Sequence, residues 1–361
     1  MKKTLNYGIM FVLAGAAALF AFLYFSHEKE AASQHTYLNK GRLYLLSGQK
    51  QLFDITERSF DAIGLFGFRE GCNKWVPVGA PKSNYRPVFV PSNIKCAIAD
   101  DEGVIGVLNG DTATAYPLRV LVEHQIVNDD KQSPPVTVYF GGNSHTAAAF
   151  STPATDKTVI LRSEDESPSV VVEAETCDYL ACTGFLYKNV DMLYDLASES
   201  MFVPVTGMFA AGDRIGERLR ILPSAVMTLG QWRKMYPDTR VMIENTGLKS
   251  IRYPRRDVMA ERLSLKARFA ARADSPYKDN ESIISISDGW DAVAVVFSDA
   301  RRAGKHEIAC TLGGREYVAH FSEDYNAAWI TDNAGKLSPS VRSIYRPVIS
   351  LWRTGNLTIA R

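Results

Sequence analysis

The chain has 361 residues, with 41 Lys and Arg against 40 Asp and Glu and a net charge of +1. At 46% hydrophobic and 22% charged, it has the composition of a core-burying protein with room for one large or two ordinary domains. The even charge balance excludes the broad basic footprint of a nucleic-acid binder, so no nucleic-acid partner is expected.

Residues 1–6 contain Lys2 and Lys3, and Tyr7 to Phe25 reads YGIMFVLAGAAALFAFLYF, nineteen residues without a charge. A helix of that length just crosses a hydrocarbon core of about 30 Å. The two lysines predict a cytoplasmic N-terminus and a single-pass helix (7–25) in the inner membrane, with the bulk of the chain in the periplasm. Ala14, Gly15, Ala16, Ala17 and Ala18 are small enough for a neighbouring helix to approach closely. A cleaved signal peptide is the competing reading. Its apolar core would be long for that role, and no small-x-small site follows Phe25. Both readings export the body and make the lipid bilayer a partner of the nascent chain.

Residues 26–40 are polar and read as a tether, and 41–100 form the N-terminal part of a globular body. Short β-prone runs separated by turn signals then dominate, so the fold class is mainly β (α+β). Val104–Leu108, Asn109-Gly110 and Thr112–Tyr116 spell a hairpin. Pro117 opens PLRVLVEH, a short helix with proline in its first turn, and Val136–Phe140 follows as a strand. Helical periodicity is clearest over Ser224–Lys234 and Val258–Ala273.

Asn280–Phe297 (NESIISISDGWDAVAVVF) aligns without a gap on Asp101–Leu118 (DEGVIGVLNGDTATAYPL). Gly289 then falls on Gly110, Ala292 on Ala113 and Ala294 on Ala115. The shared order predicts an internal duplication: a first unit over 101–250, a basic connecting segment over 251–279 and a second, weaker unit over 280–361.

AYPLRVLVEHQIVND (Ala115 to Asp129) and the region from Thr183 through Val241, with TGFLYKNVDMLYD, Thr206-Gly207, Leu222-Pro223-Ser224 and Trp232, resemble the family catalogued as domain of unknown function 3179. The resemblance carries no known activity. It implies a family pattern Tyr-Cys-Pro-Leu-Cys where this chain has Tyr139-Phe140-Gly141-Gly142-Asn143. A second pattern, Glu-Ser-Leu-Trp-Ser-Gln-x-Thr-Gly-Glu, falls where this chain runs from Glu199 to Met208. Phe202, Pro204 and Met208 replace its indole, amide and second carboxylate. Lost thiols remove metal and redox chemistry, so a kept scaffold with an abandoned site is expected, with no cofactor and no metal.

His124, Asn128 and Asp129 are the remaining polar cluster, readable as acid–base or ligand-orienting groups. Their plainer reading is a histidine at a helix end followed by a turn. Asp191, Asp195 and Glu199 recur every four residues, which on a helix would share a face; their setting, NVDMLYDLASES, reads rather as an alternation of core and solvent-facing positions. Cys177 and Cys182 could close a short loop in an oxidising compartment, or sit as buried apolar groups. Lys249, Arg252, Arg255, Arg256 and Arg262 belong to a basic run read either as a solvated face or as a docking surface for anionic lipid or an acidic protein. The sequence shows neither a Gly-x-Ser-x-Gly elbow nor a His-Glu-x-x-His pair.

Two functions compete. The first is a non-enzymatic, membrane-anchored accessory subunit that binds other membrane or periplasmic proteins, with an electron-transfer complex as the kind of host it would suit. The second is a periplasmic enzyme or small-ligand-binding protein using His124, Asn128 and Asp129.

Overall fold

Asn109 and Gly110 close a tight hairpin in the computed structural model of the chain, joining strands Gly103–Asn109 and Thr112–Pro117. Gly110 takes φ 61° and Gly289, at the tip of the second hairpin, φ 99°. Both values lie in the left-handed region that favours glycine. The structure describes residues 36–46, 52–57, 76–77, 87–92, 98–142, 144–152, 159–161, 170–172, 179–187, 190–243, 275–352 and 357–361. Among them no helix is long and apolar enough to cross a membrane. The 7–25 segment with Ala14–Ala18, the basic residues Lys249–Arg262, the Val258–Ala273 periodicity and Cys177 all lie outside the described residues.

Each hairpin leads into a seven-residue helix, Leu118–His124 or Phe297–Ala303, and then into a three-stranded meander. The first meander is Ile126–Asp129, Val136–Gly141 and Thr146–Ser151; the second is Glu307–Leu312, Arg315–Phe321 and Ala328–Asp332. Each half then supplies one more strand, one more seven-residue helix and a closing strand. In the first half these are Ser224–Thr228, Leu229–Met235 and Arg240–Ile243. In the second they are Val341–Ile344, Tyr345–Leu351 and Leu357–Ala360. Both closing strands run parallel to the second strand of their hairpin.

The halves exchange their meanders. The second meander extends the first half's sheet through Val226 opposite Ala328, and the first meander extends the second half's sheet through Ala147 opposite Arg342. The result is two eight-stranded sheets face to face. Ile105, Tyr116, Val226 and Met242 of one sheet meet Val127, Val138, Phe140 and Ala147 of the other. Ile284, Val293 and Val295 likewise meet Ile308, Ala319 and Ile330. Such doubly contacted aliphatic side chains contribute roughly 1.5–3 kcal/mol each on burial.

The first half carries an insertion between Ser151 and Arg220. Its strands form a sheet ordered Met208–Ala211, Met201–Val203, Val190–Asp195, Leu180–Tyr187, to which Val76–Pro77, from before the first hairpin, adds at the edge. One face packs Leu180, Leu193, Phe202 and Phe209 on Ile126, Tyr139 and Phe150 of the sandwich. The opposite face, with Phe185, Met192 and Tyr194, receives Leu45, Phe53 and Ile55 of an N-terminal three-stranded sheet.

Three sequence expectations are corrected. Ser224–Thr228 is a strand, and the helix begins only at Leu229. A strand covered on both faces loses the alternation that identifies it, so its apolar run passed for helical spacing. Thr228 marks the true start: its hydroxyl accepts from Gln231 N (3.2 Å) while Gln231 Oε1 accepts from Thr228 N (2.9 Å), a reciprocal cap. Asn128 and Asp129 end a strand, the turn starting at Asp130. Asp191 and Asp195 also lie in a strand, Val190–Asp195, and share no helix face.

Candidate functional site

The strand Ile126–Asp129 separates the residues that the sequence grouped. Successive side chains point to opposite faces of a strand, so Asn128 and Asp129 serve different layers. Asn128 accepts from Thr137 Oγ1 (2.7 Å) and Leu180 N (3.2 Å) and donates to Leu180 O (3.0 Å). It is a strut between the sandwich and the inserted sheet. His124 ends its helix and is buried.

Asp129 points the other way and is fully buried. Its Oδ2 accepts from Tyr116 Oη (2.8 Å) and Gln132 Nε2 (2.9 Å), and its Oδ1 from Lys131 N (3.2 Å). Arg240 NH2 stands 3.8 Å from the same carboxylate. Burial, then the charge of Asp129, pushes the Tyr116 phenol well above its ordinary range, so the hydroxyl stays a donor. Gln132 Oε1 and Arg240 Nε are buried without a hydrogen-bond partner.

Arg240 joins this network to the surface. Its guanidinium lies 4.9 Å from the centre of the Phe89 ring, and NH2 donates to Thr114 Oγ1 (3.3 Å). Val88, Phe89, Val90, Pro91, Lys131 and Arg240 line a cavity of about 270 Å³. Val88–Pro91 is the last strand of its sheet. It pairs with Arg240–Ile243 on one side, and among the described residues no strand covers the other. An apolar trough therefore lies beside an open strand edge and is flanked by two cations. It can hold an extended acidic segment or a small anion with an apolar portion.

A second polar cluster lies beneath the inserted sheet. Tyr139 Oη donates to Asp191 Oδ2 (2.8 Å), and the Cys182 thiol donates to Gln125 Oε1 (3.2 Å). Cys182 is free and buried. Burial first, and Asp191 second, raise its thiol well above the usual range, which suppresses the thiolate that reactivity needs. A Cβ added at Gly141 would lie 2.2 Å from Tyr139 Oη, so this cluster is closed by close packing.

The runs 139–143 and 199–208 share a core here, through Tyr139 and Phe202. Phe140 turns into the sandwich, with its ring 5.7 Å from that of His145. Among the described residues no three His, Cys, Asp or Glu side chains converge as metal ligands.

Sequence reasoning missed Tyr116, Gln132 and Arg240 as partners of Asp129, and Phe89 as the ring under Arg240. Gln132 is three residues away and was findable as turn chemistry. Arg240 and Phe89 arrive through the parallel closing strand and the sheet edge, for which the chain offers no local signal.

A family model described as protein of unknown function (DUF3179) matches residues 82–348. No curated protein and no solved structure matches the chain.

Proposed function

The chain belongs to the DUF3179 family, and from that premise we propose that it is a non-enzymatic, membrane-anchored scaffold that binds another protein on the extracytoplasmic side. The contrast between closed and open polar groups carries this reading. Asn128, Asp129, Tyr139 and Asp191 spend their hydrogen bonds on neighbouring strands. The Val88–Pro91 edge leaves backbone groups for an outside segment, and Lys131 and Arg240, although engaged with Pro87 O and with Asp129 and Thr114, keep positive charge beside it. Strand addition there would supply main-chain hydrogen bonds, and the cations would select an acidic partner. The apolar 7–25 segment and its flanking lysines support the anchor.

The native size of the full chain in mild detergent tests the proposal. Wild type is expected in a stoichiometric assembly well above monomer size. Lys131→Glu combined with Val90→Asp, both at the trough, is expected to release a folded monomer. Wild type running as a monomer, or the double variant remaining assembled, would count against it.

The cavity itself favours a second reading, a small anionic ligand held between Lys131 and Arg240. A monomeric wild type that is stabilised by small organic anions, and that loses this response with Lys131→Glu, would select that reading.

A further inference from the structure

Arg342 points between the two sheets and has no counter-charge among the described residues. Its strand, Val341–Ile344, lies between Ser282–Ser287 and Thr146–Ser151, and Arg342 pairs with Ala147 and Ile284. Only 8% of the residue is exposed. NH1 donates to Asn326 O (2.8 Å), and the guanidinium lies 5.1 Å from the centre of the Phe297 ring. Among the described residues no carboxylate is within ion-pair distance. Asp324, two residues from Asn326, is occupied by Asn326 Nδ2 and the Ser322 hydroxyl.

Three other buried or partly buried arginines are neutralised. Arg346, 7% exposed, has Asp279 at 3.3 Å. Arg119 has Glu102 at 2.9 Å, and Arg214 has Asp195 at 3.9 Å. A guanidinium has five N–H donors and stays charged in proteins. Stripping it of water is costly unless the charge is met. One carbonyl and one ring face meet only part of that demand.

The fold does not require an arginine here. Val226 has the corresponding place in the first half, three residues before its helix and at the strand pair that joins the halves. An aliphatic side chain therefore fits this backbone. His145 also borders the site: its imidazole is half-buried and close enough to Arg342 for the two to repel as cations. As a neutral ring it contributes one further N–H donor.

We propose that Arg342, assisted by His145, binds a small singly charged anion between the two sheets, at the junction of the repeats. A singly charged anion matches the one unmet charge of Arg342, and a halide or formate is among the smallest groups that carry it. The anion would supply the missing counter-charge, so its binding would stabilise the folded chain.

The test is the thermal midpoint of the full chain in detergent at constant ionic strength, with gluconate replaced stepwise by chloride, bromide or formate. Wild type should show a saturable rise of several degrees with at least one of the three. Arg342→Val, which installs the residue of the matching position, should stay folded and lose the response. No rise with any of the three in wild type, or an equal rise in Arg342→Val, would overturn the proposal. Anomalous scattering from bromide in wild-type crystals needs no variant: a peak against the guanidinium supports the site, and an empty junction refutes it.

Discussion

Arg342 stands in the second half of the protein where Val226 stands in the first, and each joins the two sheets' exchanged strands, Arg342 to Ala147 and Val226 to Ala328. The two halves thus share backbone pairing at this position while their side-chain chemistry differs. The hairpin tips show the same. Gly110 and Gly289 both keep positive φ, yet the residue after each is Asp111 in one and Trp290, 77% exposed, in the other. Backbone geometry is fixed by the sandwich, while surface chemistry at the tips is free to change.

Gly106 should tolerate no side chain. A Cβ there would come within 2.2 Å of the Trp232 ring, which is fully buried and donates to Thr239 Oγ1 (2.8 Å). Gly106→Ala must displace the indole or the strand, at a cost of about 1–3 kcal/mol or more. Urea unfolding measures it. Gly142, with open space at its Cβ position, is the control and should accept alanine within about 0.5 kcal/mol.

Asp129 should matter to stability more than to any chemistry. Tyr116→Phe removes one donor to a buried carboxylate and should cost about 1–3 kcal/mol. Asp129→Ala leaves Arg240 without its carboxylate and takes an acceptor from three further donors, Tyr116 Oη, Gln132 Nε2 and Lys131 N, so about 3–5 kcal/mol is expected. Equilibrium unfolding of both variants and of their combination gives the coupling, which should be non-zero because the residues share a hydrogen bond. Additive losses would mean that the bond contributes nothing.

The hairpins, the strand Val136–Gly141 and the helix after Pro117 were legible because each carries a local signal: an Asn-Gly turn, β-branched alternation, or a proline at the helix start. The exchange of meanders was not, since Val226–Ala328 and Ala147–Arg342 pair across more than a hundred residues. For the site, His124, Asn128 and Asp129 were read as one group because they are neighbours in sequence. The pleat then sends Asn128 and Asp129 to opposite sides. Arg342 gave no sign at all, because an arginine in a strand reads as surface until its neighbours are known.

Membrane attachment should depend on the small-residue stretch. Gly15→Arg places a charge near the centre of the 7–25 segment and should cost roughly 2.5–3.5 kcal/mol of insertion. Fractionation of the full chain checks this. A variant recovered in the membrane as completely as wild type would remove the case for a spanning anchor.

Stability should fall off on both sides of neutrality for reasons tied to particular groups. Burial first, and the Arg342 charge second, bring His145 down from 6.5 to about 4. Between those values the unfolded chain binds a proton that the folded chain refuses, so this contribution is present above pH 6.5 and is lost as pH falls towards 4. From pH 7 to 5 the loss should be at most roughly 2 kcal/mol, at 1.36 kcal/mol per pH unit of difference. His145→Gln should flatten that slope.

On the alkaline side the sign reverses. Cys182, Tyr116 and Tyr139 are all raised, in each case by burial first and then by a neighbouring carboxylate. Their contribution is complete below the ordinary thiol and phenol ranges, about 8.5 and 10, and declines as pH climbs from there towards the folded values. Unfolding free energies from pH 4 to 10.5 should therefore form a plateau across neutrality. In the native state the Cys182 thiol should resist alkylation along that plateau and react only as the chain unfolds. Rapid native alkylation of Cys182 at pH 8 would show that the Gln125–Cys182–Asp191 region opens without global unfolding.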